Sequence, residues 1–147
     1  MSRQSASTVI DRPTQEVFAY MDDVSREREW QPSLRSAEQD PPGPSRAGTK
    51  KRYVSDFLGR ELRNTYVVIE AVPGKKLVCE TTRDSSVSAR TEVTCEPSGS
   101  GTKVTMVIDG KPRGFMKLMP ATMLEAAYKK ELTSALARLK VRLEDGA

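Results

Sequence analysis

Histidine is absent from all 147 residues. Its absence removes the usual general base, the usual activator of a serine or cysteine nucleophile and the commonest metal ligand. Cysteine is nearly absent too: Cys79 and Cys95 cannot build a thiolate metal site alone, and they do not form a C-x-x-C pair. If they lie on the two arms of a hairpin turning near Asp84-Ser85, the partner of Cys79 falls near residue 90. Cys95 is then several residues beyond it, out of bonding range, so both are expected as buried, reduced thiols. No apolar run approaches the roughly 18 residues of a membrane span, so no stable membrane insertion is expected. The opening residues carry no apolar stretch before Val9-Ile10, which points to a cytoplasmic protein. Metal ligands do not cluster, and Gly99 and Gly101 lead into a strand rather than a helix, which excludes a phosphate loop. No metal and no cofactor are expected.

What remains is ordinary globular material, 37% hydrophobic and 30% charged, enough for one domain spanning residues 1–147. The net charge is +4, and all of the excess lies late in the chain. From Gly110 onward eight Lys or Arg face four Asp or Glu, whereas the preceding part balances. Lys129, Lys130, Arg138, Lys140 and Arg142 fall on the polar side of a helix. No aromatic residues interleave with them, so a solvated face outweighs a nucleic-acid patch, and no nucleic-acid partner is expected.

The periodicity of the chain changes twice. Residues 7–10 are extended. Pro13 then opens a helix at the position that tolerates a missing N–H, and Val17, Tyr20, Met21 and Val24 recur at helical spacing. A second short helical piece covers 25–30 and is ended by Pro32. From Gly48 the period becomes two: Val87, Ala89, Val93 and Cys95 alternate with polar residues, as do Val104, Met106 and Ile108. Leu58-Gly59, Pro73-Gly74, Asp84-Ser85-Ser86 and the segment from Pro97 to Gly101 are turns at hairpin spacing. Strands are placed at 33–39, 48–57, 60–72, 76–83, 86–96 and 102–109, seven with the first. The tail is helical again, with Leu124, Tyr128, Leu132, Ala135, Leu136, Leu139 and Leu143 forming one stripe. Thr122-Met-Leu-Glu125 reads as a capping box, but a helix from about 114 bent at Pro120 is preferred.

The order of elements and a set of local words resemble the START-like (SRPBCC) superfamily, in its polyketide cyclase/dehydrase branch. The words are Ser7-Thr-Val-Ile10, Arg12-Pro-Thr-Gln-Glu-Val-Phe18, Asp22 with Glu29-Trp-Gln-Pro32, Gly48-Thr49 and Gly59-Arg60. Later come Glu70-Ala-Val-Pro73, Gly101-Thr-Lys-Val104 and Leu136-x-x-Leu-Lys140-x-x-Leu-Glu144. The resemblance implies an α+β helix-grip fold, a seven-stranded curved antiparallel sheet wrapped around a long C-terminal helix, with two short helices after the first strand and a cavity between. Elementary packing agrees: a sheet with one apolar face needs a cover, and one long amphipathic helix covers it incompletely.

Candidate cavity residues follow from strand parity and helix position. Tyr53 and Phe57 share a face, and with Tyr66, Leu62, Leu77, Ala89, Val93 and Met106 they can line the concave side or be plain core. Trp30, the single tryptophan, either packs the short helices onto the sheet or walls the cavity mouth. Phe115, Met116, Met119 and Met123 load the start of the last helix with flexible apolar side chains that suit a plastic site or a loose helix end. Asn64 and Tyr66 share parity and can offer hydrogen bonds, as can Thr91; Arg90 falls on the opposite face. Asp22, Asp23, Glu27 and Glu29 alternate with Arg26 and Arg28 and read as solvated surface rather than an acid–base pair. Serines 85, 86 and 88 lack an activating histidine, and catalytic residues are not identified.

Three functions compete. The first is binding of a small hydrophobic molecule, a lipid, polyketide or aromatic metabolite. The second is a cyclase or dehydratase type of enzyme in which the cavity directs an intramolecular condensation. The third is a protein-interaction module resembling chaperone activators. The chain is expected as a monomer or homodimer. Convergent polar groups of shifted titration inside the cavity would favour the enzyme, and an almost wholly apolar cavity the carrier.

Overall fold

A computed structural model of the protein describes residues 2–145; the two ends of the expected domain lie outside them. The chain runs β1 (Ser2–Ile10), α1 (Thr14–Asp22), a 3-10 turn (Val24–Arg26), α2 (Glu27–Trp30), then β2 (Leu34–Asp40), β3 (Lys50–Phe57), β4 (Arg60–Val72), β5 (Lys76–Thr81), β6 (Ser88–Ser98) and β7 (Gly101–Lys111). A second 3-10 turn (Gly114–Leu118) leads into α3 (Ala121–Glu144). All seven strands form one antiparallel sheet in the order β1-β7-β6-β5-β4-β3-β2. The meander comes from short turns between alternating segments, and the first strand joins the sheet beside the last. This α+β layout is the helix-grip architecture, and the strands match the periodicity within two or three residues except β1, which begins earlier than expected.

Two turns show why sequence punctuation mattered. Leu58 and Gly59 both have positive φ, 52° and 78°, and join Phe57 to Arg60 in a two-residue hairpin, the geometry that matches strand twist. Gly101 opens β7 so close to β1 that a Cβ there would lie 2.3 Å from the Ile10 carbonyl oxygen.

The last helix begins later than the preferred reading. Gly114–Leu118 is 3-10, Met119 and Pro120 are extended, and Pro120 is the N-cap of α3, so neither a helix from 114 nor a Thr122 capping box is formed. Proline disfavours helical backbone at the residue before it, so Met119 leaves the helix and α3 restarts after the ring. The stripe Leu124, Leu132, Ala135, Leu136, Leu139 and Leu143 is buried as expected, and Tyr128 is half-buried.

The interior is split. One cluster gathers Ile10, Val17, Phe18, Met21, Trp30 and Val104 under Ala135, Leu136, Leu139 and Leu143. The other joins Phe57, Leu62, Val87 and Ala89 to Met116 and Leu124. Between them α3 presents Tyr128 and Glu131, and the sheet curves away. The basic helix face is partly structural: Lys129 and Lys140 donate to the Ser5 and Val9 carbonyls of β1. Those ammonium groups cover polar backbone on a strand that ends the sheet.

Candidate functional site

A cavity of about 220 Å³ lies between the two clusters, walled by α1, α2, the concave sheet and the middle of α3. Of the residues expected on it, Trp30, Tyr53, Phe57, Leu62, Asn64, Tyr66, Leu77, Thr91, Val93 and Met106 line it. Their convergence follows from register: Tyr53 opposes Asn64, Leu77 opposes Val93, and Val93 opposes Met106, so inward positions fall in rows across adjacent strands. Trp30 is only 2% exposed, so it packs the short helices and walls the cavity at once.

Four expected residues are elsewhere. Ala89 is buried with Met116 and Leu124 in the second cluster and does not line the cavity. Phe115 packs on that cluster with the Arg60 guanidinium 4.8 Å over its ring, and Met119 packs there as well. Met123 is 46% exposed. The break at Pro120 sets the register of α3, and it directs Leu124 inward and Met123 outward. Arg90 is exposed and pairs with Glu80. Cys79 and Cys95 are free and buried, with Thr91 opposite Cys79 as the hairpin register demands. Burial lifts both thiols to about 11.

The polar end of the cavity was not anticipated. Asp22 from α1, Glu27 from α2 and Lys51 and Tyr53 from β3 meet there, each of the three charged side chains under a tenth exposed. Lys51 Nζ lies 3.0 Å from Asp22 Oδ1 and 3.9 Å from Glu27 Oε1. Ser45 donates its backbone N–H to Asp22 Oδ2 at 2.8 Å and its hydroxyl to Oδ1. Tyr53 donates its hydroxyl to Glu27 Oε1 at 2.7 Å, and Gln31 Nε2 donates to Oε2 at 2.9 Å. The reading of Asp22, Asp23, Glu27 and Glu29 as one solvated patch is therefore half wrong. Asp23 and Glu29 do face Arg26 at the surface, whereas Asp22 and Glu27 turn inward. Two signals were present: Asp22 follows Phe18 at i+4, and Glu27 precedes Trp30 at i+3 on the same face. Lys51 shares parity with Tyr53 and Phe57.

Electrostatics separate the two carboxyls. Burial pushes Glu27 up to about 7, against the opposing pull of Lys51 and of its two hydrogen bonds. Burial also acts to raise Asp22, but Lys51 and the Ser45 hydrogen bonds outweigh it and hold that carboxyl below its ordinary range. In a chain without histidine, Glu27 is a cavity group that changes charge near neutrality. Tyr53 is driven well above its ordinary value by burial and by Glu27. Elsewhere on the wall, Asn64 Oδ1 accepts the Val87 N–H at 3.1 Å. Tyr66 meets Tyr53 edge-on with centroids 5.7 Å apart, and its hydroxyl has no hydrogen bond among the described residues. The indole N–H of Trp30 is likewise buried without an acceptor.

A family described as polyketide cyclase/dehydrase and lipid transport matches residues 1–144. The chain belongs to this family. No curated protein matches it in sequence. Solved structures of the same fold include TTHA0849 from Thermus thermophilus, with 17% identity, 99% of each chain covered and a TM-score of 0.84. A START superfamily protein from Mycobacterium smegmatis has 12% identity over 100% of each chain and a TM-score of 0.83. The Aha1 dimer from Colwellia psychrerythraea has 14% identity, with 99% of this chain and 98% of that one covered, and a TM-score of 0.72. At these identities the likeness is one of fold. The polyketide cyclase/dehydrase and lipid transport family is named for hydrophobic small molecules, which agrees in kind with a cavity walled by Tyr, Phe, Leu and Val. Among the described residues no helix is long and apolar enough to cross a membrane, and no group of His, Cys, Asp or Glu is arranged to hold a metal ion.

Proposed function

We propose that the protein binds a small hydrophobic molecule in the cavity between the sheet and α3, acting as a cytoplasmic single-domain protein, monomeric or homodimeric. The observation that carries this reading is the split core: apolar side chains line a gap that the long helix crosses without filling. A sheet and helix that needed only to cover each other would close it. The ligand-contacting residues on this reading are Trp30, Tyr53, Phe57, Leu62, Asn64, Tyr66, Leu77, Thr91, Val93 and Met106.

The chain supplies its own reporter, because Trp30 is its single tryptophan and lies on the cavity wall. Titrating the protein with Nile red should transfer excitation from Trp30 to the dye. Val93→Trp, which fills the gap from the sheet side, should weaken dye binding at least tenfold while the far-UV circular dichroism stays native. Equal dye binding by parent and folded variant refutes the assignment.

A second reading, an enzyme of the cyclase or dehydratase type, is favoured by one observation: Glu27 shares the cavity with Tyr53 and Lys51 and is poised to exchange a proton near neutrality. On that reading Glu27 is the group that gives or takes the proton, and the cavity shape directs the condensation. The interaction-module reading draws nothing from the cavity.

A further inference from the structure

The charges on the cavity wall do not balance. Asp22, Glu27, Glu92 and Glu131 line it, and Lys51 is the single cation among them. Glu92 is satisfied from outside by Lys76, 3.3 Å away. Lys51 serves both Asp22 and Glu27, and it sits closer to Asp22. Glu131 accepts a hydrogen bond from Ser33 at 2.8 Å and makes no ion pair among the described residues. A chain of net charge +4 thus encloses an apolar cavity short of positive charge. Glu27 receives two hydrogen bonds, from Tyr53 and Gln31, on an acceptor with about four lone-pair directions. Tyr53, Tyr66 and Trp30 line the same cavity, and aromatic rings attract a cation.

We propose that the ligand is a hydrophobic amine, held as its ammonium against Glu27 with its apolar body between the sheet and α3. This rests on the hydrophobic-cavity reading and narrows it to a class. Without ligand, the missing positive charge is met by a proton on Glu27, which titrates near 7. The groups that set that titration are Asp22 from α1, Gln31 beside it at the end of α2, Lys51 and Tyr53 from β3 and Cys79 from β5; Glu131 of α3 also lines the cavity. An ammonium and this proton compete, so binding the amine expels the proton. A neutral ligand that took a hydrogen bond from the Glu27 carboxylic acid would do the reverse and draw a proton in.

The test uses the whole chain and three probes of equal length, n-octylamine, n-octanol and n-octanoate, by isothermal titration calorimetry in buffers of different ionisation enthalpy. An alkylamine, like a lysine side chain, stays protonated at neutral pH. Octylamine should bind at least tenfold tighter than octanol at about pH 8. Its affinity should rise about tenfold from about pH 6 to about pH 8, following the ionised fraction of Glu27, and binding near pH 7 should release protons. Glu27→Gln should erase both the preference for the amine and the pH slope, with the far-UV circular dichroism native. Octanol or octanoate equal to the amine at about pH 8, or proton uptake on binding, overturns the proposal, and both measurements need only the unmodified protein. If octanol alone binds, the amine falls and the hydrophobic cavity stands; if none of the three binds, both fall.

Discussion

Removing the ammonium from the polar end of the cavity is the sharpest test of how that end is held together. In Lys51→Met a side chain of similar length keeps the packing and takes the charge away from two buried carboxyls. At 3.0 and 3.9 Å, the attractions are worth about 5.5 and about 4 kcal/mol at an effective dielectric near 20. Most of this is offset by the cost of bringing an ammonium out of water. Stripping one partner from a buried pair therefore costs about 3–5 kcal/mol net, because the carboxylates left behind have no counter-charge. The pH dependence identifies the mechanism. Glu27 has a folded value of about 7, raised above its ordinary 4.5, so its ionisation destabilises the fold as pH climbs through that window. Lys51 pulls Glu27 down, so without it that carboxyl rises further. Near pH 8 the variant either carries both charges unpaired or holds a proton that the parent has released; either costs it stability. Near pH 5 Glu27 is protonated and only Asp22, with its two Ser45 hydrogen bonds, lacks its cation. The loss should then be smaller, by up to about 1.4 kcal/mol, the cost of keeping Glu27 protonated about one pH unit above the parent's value. Urea denaturation followed by circular dichroism at the two pH values measures both numbers, and Lys51→Met combined with Glu27→Gln should recover part of the loss at about pH 8. A loss below about 1 kcal/mol at about pH 8, or an equal loss at both, would refute the reasoning.

Two further outcomes follow from the placement of side chains that the sequence left ambiguous. Met123→Glu puts a carboxylate at an exposed position in the first turn of α3, where the helix dipole favours it. Melting temperature should stay level or rise by a degree or so, and Nile red binding should be unchanged. Cys79 and Cys95 should react with a thiol reagent orders of magnitude faster in denaturant than in buffer, because burial protects both and holds them protonated. Reductant should leave the melting temperature unaltered.

Much of the fold was legible because it is written in short-range pattern. Alternation of polar and apolar residues over Val87 to Cys95, the turn pairs at Leu58-Gly59 and Pro73-Gly74, and the leucine stripe of the last helix each reflect geometry within one element. Strand parity likewise placed Tyr53, Tyr66, Val93 and Met106 on one face, and their meeting at the cavity follows from hairpin register, which short turns determine. Helix phase was less secure. One proline moved the start of α3 past 114 and sent Met123 outward and Leu124 inward, since a shift of a single residue rotates a helix by about 100°. The buried charge cluster was decided by tertiary structure alone. Asp22, Glu27 and Lys51 come from three elements. The helical spacing that sets Asp22 by Phe18 and Glu27 by Trp30 competes with the flanking Arg26 and Arg28, so the local pattern does not decide which way the carboxylates turn. They turn inward because Lys51, more than twenty residues later, arrives on the concave face to meet them. Burying any one of the three alone would carry a large desolvation cost, so only the assembled fold settles which charged side chains leave water.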